Sequence, residues 1–165
     1  MKYILGADPS LSQSGIAVLN EAAVVMAYGT IKTSSKQPEP VRLKKIYDAL
    51  CSIMGEYVIS EMAIETPFVS ISGVSVRLDT SIKLGMVRGI FGLFAAQNQI
   101  RVFNYAPSQI KAAVARGNAK KEEVMSSVKM LTGIDTKNDN IADAIAAGLC
   151  HLSRKNFNQK GGKNE

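Results

Sequence analysis

The stretch Tyr3-Ile4-Leu5-Gly6-Ala7-Asp8-Pro9-Ser10 decides the fold. Tyr3 to Asp8 reads as a β-strand, and Pro9, which cannot donate to a ladder, ends it. The strand is apolar on both faces, as in the middle of a sheet covered on both sides. Asp8 closes it, and an acid at the end of a buried strand needs a partner because an unpaired buried charge is expensive. Two partners fit this segment: the turn backbone near Ser10, or a metal ion.

Working outward, Gly15 to Leu19 reads as a second strand. Asn20-Glu21 marks a tight turn, and Ala22 to Thr33 reads as a third strand, giving an antiparallel meander. Beyond the proline-bearing loop 34–40, Leu43, Ile46, Tyr47, Leu50, Ile53 and Met54 repeat at helical spacing, which predicts a helix from Val41 to Val58. Glu61 to Thr66 is a fourth strand stopped by Pro67, and the intervening helix makes it parallel to the strand it joins. A Ser- and Gly-rich loop over 68–78 leads to a helix ending at Gln97. A fifth strand follows at 101–105. Pro107 opens a helix to Ala115, another runs from Lys120 to Thr132 before Gly133, and the last spans Asn140 to Arg154. The order βββ-α-β-α-β-α-α-α predicts an α/β fold. Its mixed five-stranded sheet has three antiparallel meander strands and two parallel strands, with helices on both faces. Residues 1–155 are expected to form one domain and 156–165 a basic, disordered tail.

Composition narrows the function. The chain has 165 residues, 46% hydrophobic and 21% charged, as in an ordinary globular domain. No apolar run reaches membrane-spanning length and no signal-peptide pattern opens the chain, so a soluble, cytoplasmic protein is expected. Cys51 and Cys150 lie far apart and His151 is the only histidine, which argues against zinc and against a histidine-based triad. The formal net charge is +6, and no acid occurs between Asp79 and Glu122. That interval carries Lys83, Arg88, Arg101, Lys111, Arg116, Lys120 and Lys121, a distribution suited to nucleic acid.

Against this basic background a few acids stand at telling places. Met62-Ala63-Ile64-Glu65 is an apolar run ending in Glu65. If the fourth strand lies parallel to and beside the first, Asp8 and Glu65 end at the same sheet edge, where ligands bind in such sheets. Glu61, at the other end of that strand, reads as an exposed acid. Asp143 sits in the small, apolar stretch Ile141 to Ala147 of the last helix. Its alternative role is to stabilise the first turn through the helix dipole. One turn earlier, Asp139 and Asn140 share its face, and Asp139 also suits an N-cap. Acids converging from separate elements repel one another unless cations neutralise them, and an all-oxygen set favours Mg²⁺ or Mn²⁺. Two such ions activate water and stabilise the leaving oxygen of a phosphodiester.

Four motifs in order carry a resemblance: Gly6-Ala7-Asp8-Pro9-Ser10 with Gly15; Ile64-Glu65-Thr66-Pro67-Phe68; Lys83-Leu84-Gly85 with Arg88-Gly89; and Ala142-Asp143-Ala144-Ile145-Ala146. Over residues 2–151 the chain resembles the RuvC family of Holliday junction resolvases, of the ribonuclease H-like superfamily. The divergent N-terminal half and small size resemble a phage-encoded member. The resemblance implies a ribonuclease H-like sheet and a homodimer acting on four-way and other branched DNA in a bacterial cell. It implies a Mg²⁺-dependent endonuclease with two ions per site, Mn²⁺ substituting, and no nucleotide cofactor. Asp8, Glu65 and Asp143 are the implied metal ligands, and Lys111 and Lys121 the basic residues beside them, with Lys120 adjacent. Phe68 is placed at the junction centre, or alternatively in the core. Lys83, Arg88 and Arg116 complete the DNA-binding set. Gly85, Gly89 and Gly92 bare one face of a helix, either for a dimer contact or for packing on the sheet within one subunit.

Position 140 departs from the family, which usually has an acid or histidine three residues before the aspartate matched by Asp143. Either Asp139 supplies the fourth ligand, or Asn140 replaces a catalytic aspartate, natively or by engineering. The second case admits a different class of function, a branched-DNA-binding protein with little or no cleavage. A sugar-kinase or actin-like ATPase shares the opening Gly-x-Asp pattern but needs a duplicated domain and a second phosphate loop, for which this chain is too short. The P-loop pattern is absent as well.

Overall fold

The structure is a computed structural model that describes residues 1–66 and 78–161. The elements are β1 (Tyr3–Asp8), β2 (Gln13–Leu19), β3 (Val25–Lys32), α1 (Glu39–Met54), β4 (Ile59–Glu65), α2 (Leu78–Gln97), β5 (Arg101–Tyr105), α3 (Pro107–Val114), α4 (Lys121–Thr132) and α5 (Asp139–Gly161). The five strands run in the order β3-β2-β1-β4-β5. β1 pairs antiparallel with β2, and β2 with β3, while β1–β4 and β4–β5 are parallel. The expected mixed sheet is therefore the observed one, with β1 at its centre.

Alternation along the central strands divides the core between the two faces. Leu5, Ala7, Met62 and Ile64 pack with Ile46 and Leu50 of α1 and Val87, Phe91 and Phe94 of α2. Ile4 and Ala63 point the other way, to Ala142, Ala144, Ile145 and Ala146 of α5, with α3 and α4 behind. The small residues of α5 serve close approach. A Cβ added at Gly6 would strike the carbonyl oxygen of Ala144, and one at Gly15 would strike that of Asn140. Glycine on β1 and β2 thus lets the backbone of α5 settle onto the sheet.

Several boundaries differ from expectation for local reasons. The turn after β2 is longer than two residues. The Asn20 side-chain oxygen accepts from the backbone N–H groups of Ala22 and Val24 (3.0 and 2.9 Å), and Ala23 adopts φ 62°. β3 consequently starts at Val25 rather than Ala22. α1 takes Pro40 into its first turn and stops at Met54 before Gly55, short of Val58. α5 continues to Gly161, so residues 156–161 are helical and not part of a disordered tail. Nothing between Arg154 and Lys160 breaks a helix, and the Gly161-Gly162 pair comes only afterwards. Among the described residues no helix is long and apolar enough to cross a membrane.

Candidate active site

The register of β1 against β4 brings two acids together. Gly6 lies opposite Ala63 and Ala7 opposite Ile64, so the next step sets Asp8 beside Glu65 at the carboxyl edge. Period-two alternation turns both toward α5, because Ala7 and Ile64 face the other layer. α5 enters over this edge and carries Asp143 one turn into the helix. Asp8, Glu65 and Asp143 come from three elements and are all partly buried.

Electrostatics shows how these acids sense one another. Asp8 is pushed from an ordinary 3.8 up to about 7, first by burial and then by the negative charges of Asp143, Glu65 and Asp139, with Lys121 opposing. Glu65 is raised by burial and by Asp143, against Lys111 and Arg88. Asp143 is raised by burial and by Asp139, against Lys121 and Lys111. Among the described residues, no three His, Cys, Asp or Glu side chains close around a single point tightly enough to enclose one ion. The donor set of Asp8, Glu65 and Asp143 is all oxygen, which fits hard divalent cations.

Asp139 behaves differently. Its side chain accepts from Lys121 Nζ and from the backbone N–H of Asn140, and the Lys121 hydrogen bond holds its carboxyl below the ordinary value. It is an ion-paired residue at the rim. Asn140 is engaged elsewhere: its Nδ2 donates to the backbone carbonyl of Gln13 at 2.8 Å. That bond ties the start of α5 to the start of β2 and uses the amide as a donor, which a carboxylate cannot do.

The basic residues separate into groups. Lys111 on α3 and Lys121 on α4 are within electrostatic reach of the carboxylates. Arg88 on α2 donates to the backbone carbonyl of Glu65 and, at 2.7 Å, to Asn104 Oδ1. Arg116 pairs with Glu123 at 3.3 Å on the outer α3–α4 corner, and Lys120 is the N-cap of α4. Lys83 lies half-buried on α2. Phe68 lies outside the described residues.

The expectation for Glu61 is corrected: it is buried, only 2% exposed. It turns to the same face as Ala63 and meets three nitrogen-bearing side chains. Arg101 bonds one carboxylate oxygen, and His151 Nε2 and Lys155 Nζ approach the other at 3.0 Å each. The far nitrogen of His151 meets the Tyr105 hydroxyl at 2.7 Å. Burial pushes the Glu61 carboxyl up, but the hydrogen bonds from His151 and Lys155 outweigh it and hold it below the ordinary value. A cleft of about 1000 Å³ opens over this cluster between β5, α3 and α5, and neither Asp8, Glu65 nor Asp143 lines it.

Comparison with known proteins places the chain. Residues 4–151 match the family model "Crossover junction endodeoxyribonuclease RuvC". A crossover junction endodeoxyribonuclease RuvC of Halothermothrix orenii is 34% identical over 96% of this chain and 97% of its own length. The chain belongs to the RuvC family. A RuvC of Chlamydia felis is 36% identical, covering 97% of this chain and 98% of the relative. Among solved structures, Thermus thermophilus RuvC in complex with a Holliday junction substrate superposes with a TM-score of 0.83 at 22% identity. That match covers 95% of this chain and 96% of the other. The fowlpox virus Holliday junction resolvase gives 0.59 at 11% identity, over 93% and 99% of the two chains. At those identities the structural matches establish a shared fold. RuvC proteins are nucleases that need a divalent metal, in keeping with the oxygen-only acids at the β1–β4 edge.

Proposed function

We propose that this RuvC-family chain is a homodimeric, Mg²⁺-dependent endonuclease that resolves four-way and other branched DNA in the cytoplasm of a bacterial cell. One observation carries the reading: Asp8, partly buried at the strand end beside Glu65 and Asp143, is pushed up to about 7 by burial and then by the charges of Asp143, Glu65 and Asp139. Asp8, Glu65 and Asp143 would hold two Mg²⁺ ions, with Mn²⁺ able to substitute. When bound, the ions supply water activation and stabilisation of the leaving oxygen. The protein's part is to present ionised carboxylates on rigid strand and helix ends and to surround the scissile phosphate with charge. Lys111 and Lys121 stand beside the acids for that purpose, and Asp139 holds Lys121 at the rim. Lys83, Lys120 and Arg116 extend the basic surface along the flanking phosphates, and Phe68 is assigned to the junction centre.

The dimer reading rests on α2. Its buried residues Val87, Phe91 and Phe94 face the sheet, whereas a Cβ added at Gly85, Gly89 or Gly92 would meet nothing among the described residues. Exposed Ile82, Met86 and Leu93 continue that bare face. Among the described residues helix–sheet packing does not account for the glycines, and a second copy of the helix fits them.

Asn140 does not require an inactive protein, because its amide has a structural partner in Gln13. The test is cleavage of a synthetic four-way junction by Glu65→Gln and by the parent. Binding is expected to persist while cleavage in Mg²⁺ falls at least a hundredfold. Parental cleavage by the variant would defeat the assignment.

A further inference from the structure

The guanidinium of Arg88 spans two strand ends. Nη1 donates to the backbone carbonyl of Glu65, the last residue of β4, and Nη2 donates to Asn104 Oδ1 on β5 at 2.7 Å. Immediately after Glu65, the N–H of Thr66 donates to the carbonyl of Tyr105 at 2.7 Å. The strand end is thus held by a ladder-like bond on one side and by an arginine fork on the other. Strand ends fray where backbone groups lack partners, and Glu65 stands on such an end. The rigid fork of arginine suits two fixed acceptors on neighbouring strands, whereas a lysine offers a single point. Arg88 is itself only partly exposed, and both terminal nitrogens are engaged within the protein.

We propose that Arg88 is a positioning residue for the metal-binding carboxylate of Glu65, and not a contact to the DNA backbone. The proposal rests on Glu65 as a metal ligand. By fixing the carbonyl of Glu65, Arg88 sets where the strand ends and hence where the carboxylate stands beside Asp8. Outer partners of metal ligands change metal affinity by about 10- to 100-fold when removed. A phosphate contact has another signature: weaker DNA binding and a salt slope reduced by about 1.

The test uses the full chain and its Arg88→Ala, Arg88→Lys, Asn104→Ala and Glu65→Gln variants. Two quantities are read: the Mg²⁺ concentration giving half-maximal rise in Tm, and the Kd for a synthetic four-way junction in EDTA as a function of salt. Arg88→Ala is expected to raise the Mg²⁺ midpoint about tenfold and to leave the junction Kd within about twofold at an unchanged salt slope. Arg88→Lys and Asn104→Ala are expected to shift the midpoint in the same direction by less. A junction Kd raised tenfold with a shallower salt slope, at an unmoved Mg²⁺ midpoint, would make Arg88 a phosphate contact and overturn the proposal. A lowered Tm with an unmoved midpoint in all three variants would reduce it to a structural bond and overturn it as well. Glu65→Gln separates the two ideas. If it abolishes the Mg²⁺ response while Arg88→Ala leaves it intact, only the Arg88 proposal fails. If Glu65→Gln leaves the response intact, the ligand assignment fails and the Arg88 proposal falls with it.

Discussion

Replacing Asp8 by Asn should stabilise the metal-free protein at neutral and alkaline pH. In the folded state burial and then the charges of Asp143, Glu65 and Asp139 raise the Asp8 carboxyl from 3.8 to about 7. The unfolded chain releases that proton near pH 4, while the folded protein keeps it until near pH 7. Across this window the folded state binds more protons than the unfolded one, so stability falls as pH rises. The interval from 3.8 to about 7 corresponds to a ceiling of about 4 kcal/mol. Relaxation of the site and access of water reduce this to about 1–3 kcal/mol in practice. Asn is uncharged at every pH and close in shape to a protonated Asp. Urea unfolding in EDTA should therefore find Asp8→Asn more stable than the parent by about 1–3 kcal/mol at pH 8 and about equal at pH 4. Saturating Mg²⁺ at pH 8 should reverse the order. An ion that binds only the folded parent adds about 2.7 kcal/mol at a hundred times its Kd, and the variant should lose much of that gain. The reasoning is refuted if Asp8→Asn is less stable than the parent at pH 8 in EDTA, or if the difference does not change between pH 4 and pH 8.

Three other outcomes follow from the packing. Glu61→Ala removes the shared acceptor of Arg101, His151 and Lys155, and should cost about 1–3 kcal/mol by chemical unfolding, since Arg101 and Lys155 can turn to solvent. A cost under about 1 kcal/mol would mean the cluster is solvated. Gly6→Ala drives a methyl group into the Ala144 carbonyl and should cost about 3 kcal/mol or more, with loss of cleavage because α5 carries Asp143. Parental stability and cleavage in that variant would deny the close approach of α5 to β1. Asn140→Asp sets a carboxylate against the Gln13 carbonyl, and should lower stability by about 1–3 kcal/mol with less than a tenfold change in cleavage rate. A large gain in rate would show instead that the amide disables the site.

The sheet was legible because its signals are local and repeated: apolar runs stopped by Pro9 and Pro67, and helical spacing between them. The meeting of Asp8 with Glu65 was legible from strand direction alone, since parallel neighbours end at one edge. Asp143 was legible because a lone acid amid alanines needs a reason. Glu61 was misread because strand position suggested exposure, whereas face decides it. Glu61 shares parity with Ala63, and His151 lies about two turns beyond Asp143 on the same helix, so period two and period 3.6 together would have found the pair. The hydrogen bond from Arg88 to the carbonyl of Glu65 was not legible, because a sequence shows the charge of Arg88 but not the backbone it meets. The hydrogen bond of the Asn140 amide was not legible, because its partner, Gln13, lies 127 residues away in the chain. The last helix was ended too early because Lys, Arg and Asn suggest solvent, and solvent does not end a helix.

The most direct test is to offer the protein as written a synthetic four-way junction and a linear duplex of the same arm sequence, in Mg²⁺ and in EDTA. Symmetric cutting of the junction in Mg²⁺, an intact duplex and no cutting in EDTA are the results predicted. Tight junction binding without cleavage in Mg²⁺ would contradict the account and leave a junction-binding protein. Equal cutting of junction and duplex would contradict its selectivity for branched DNA.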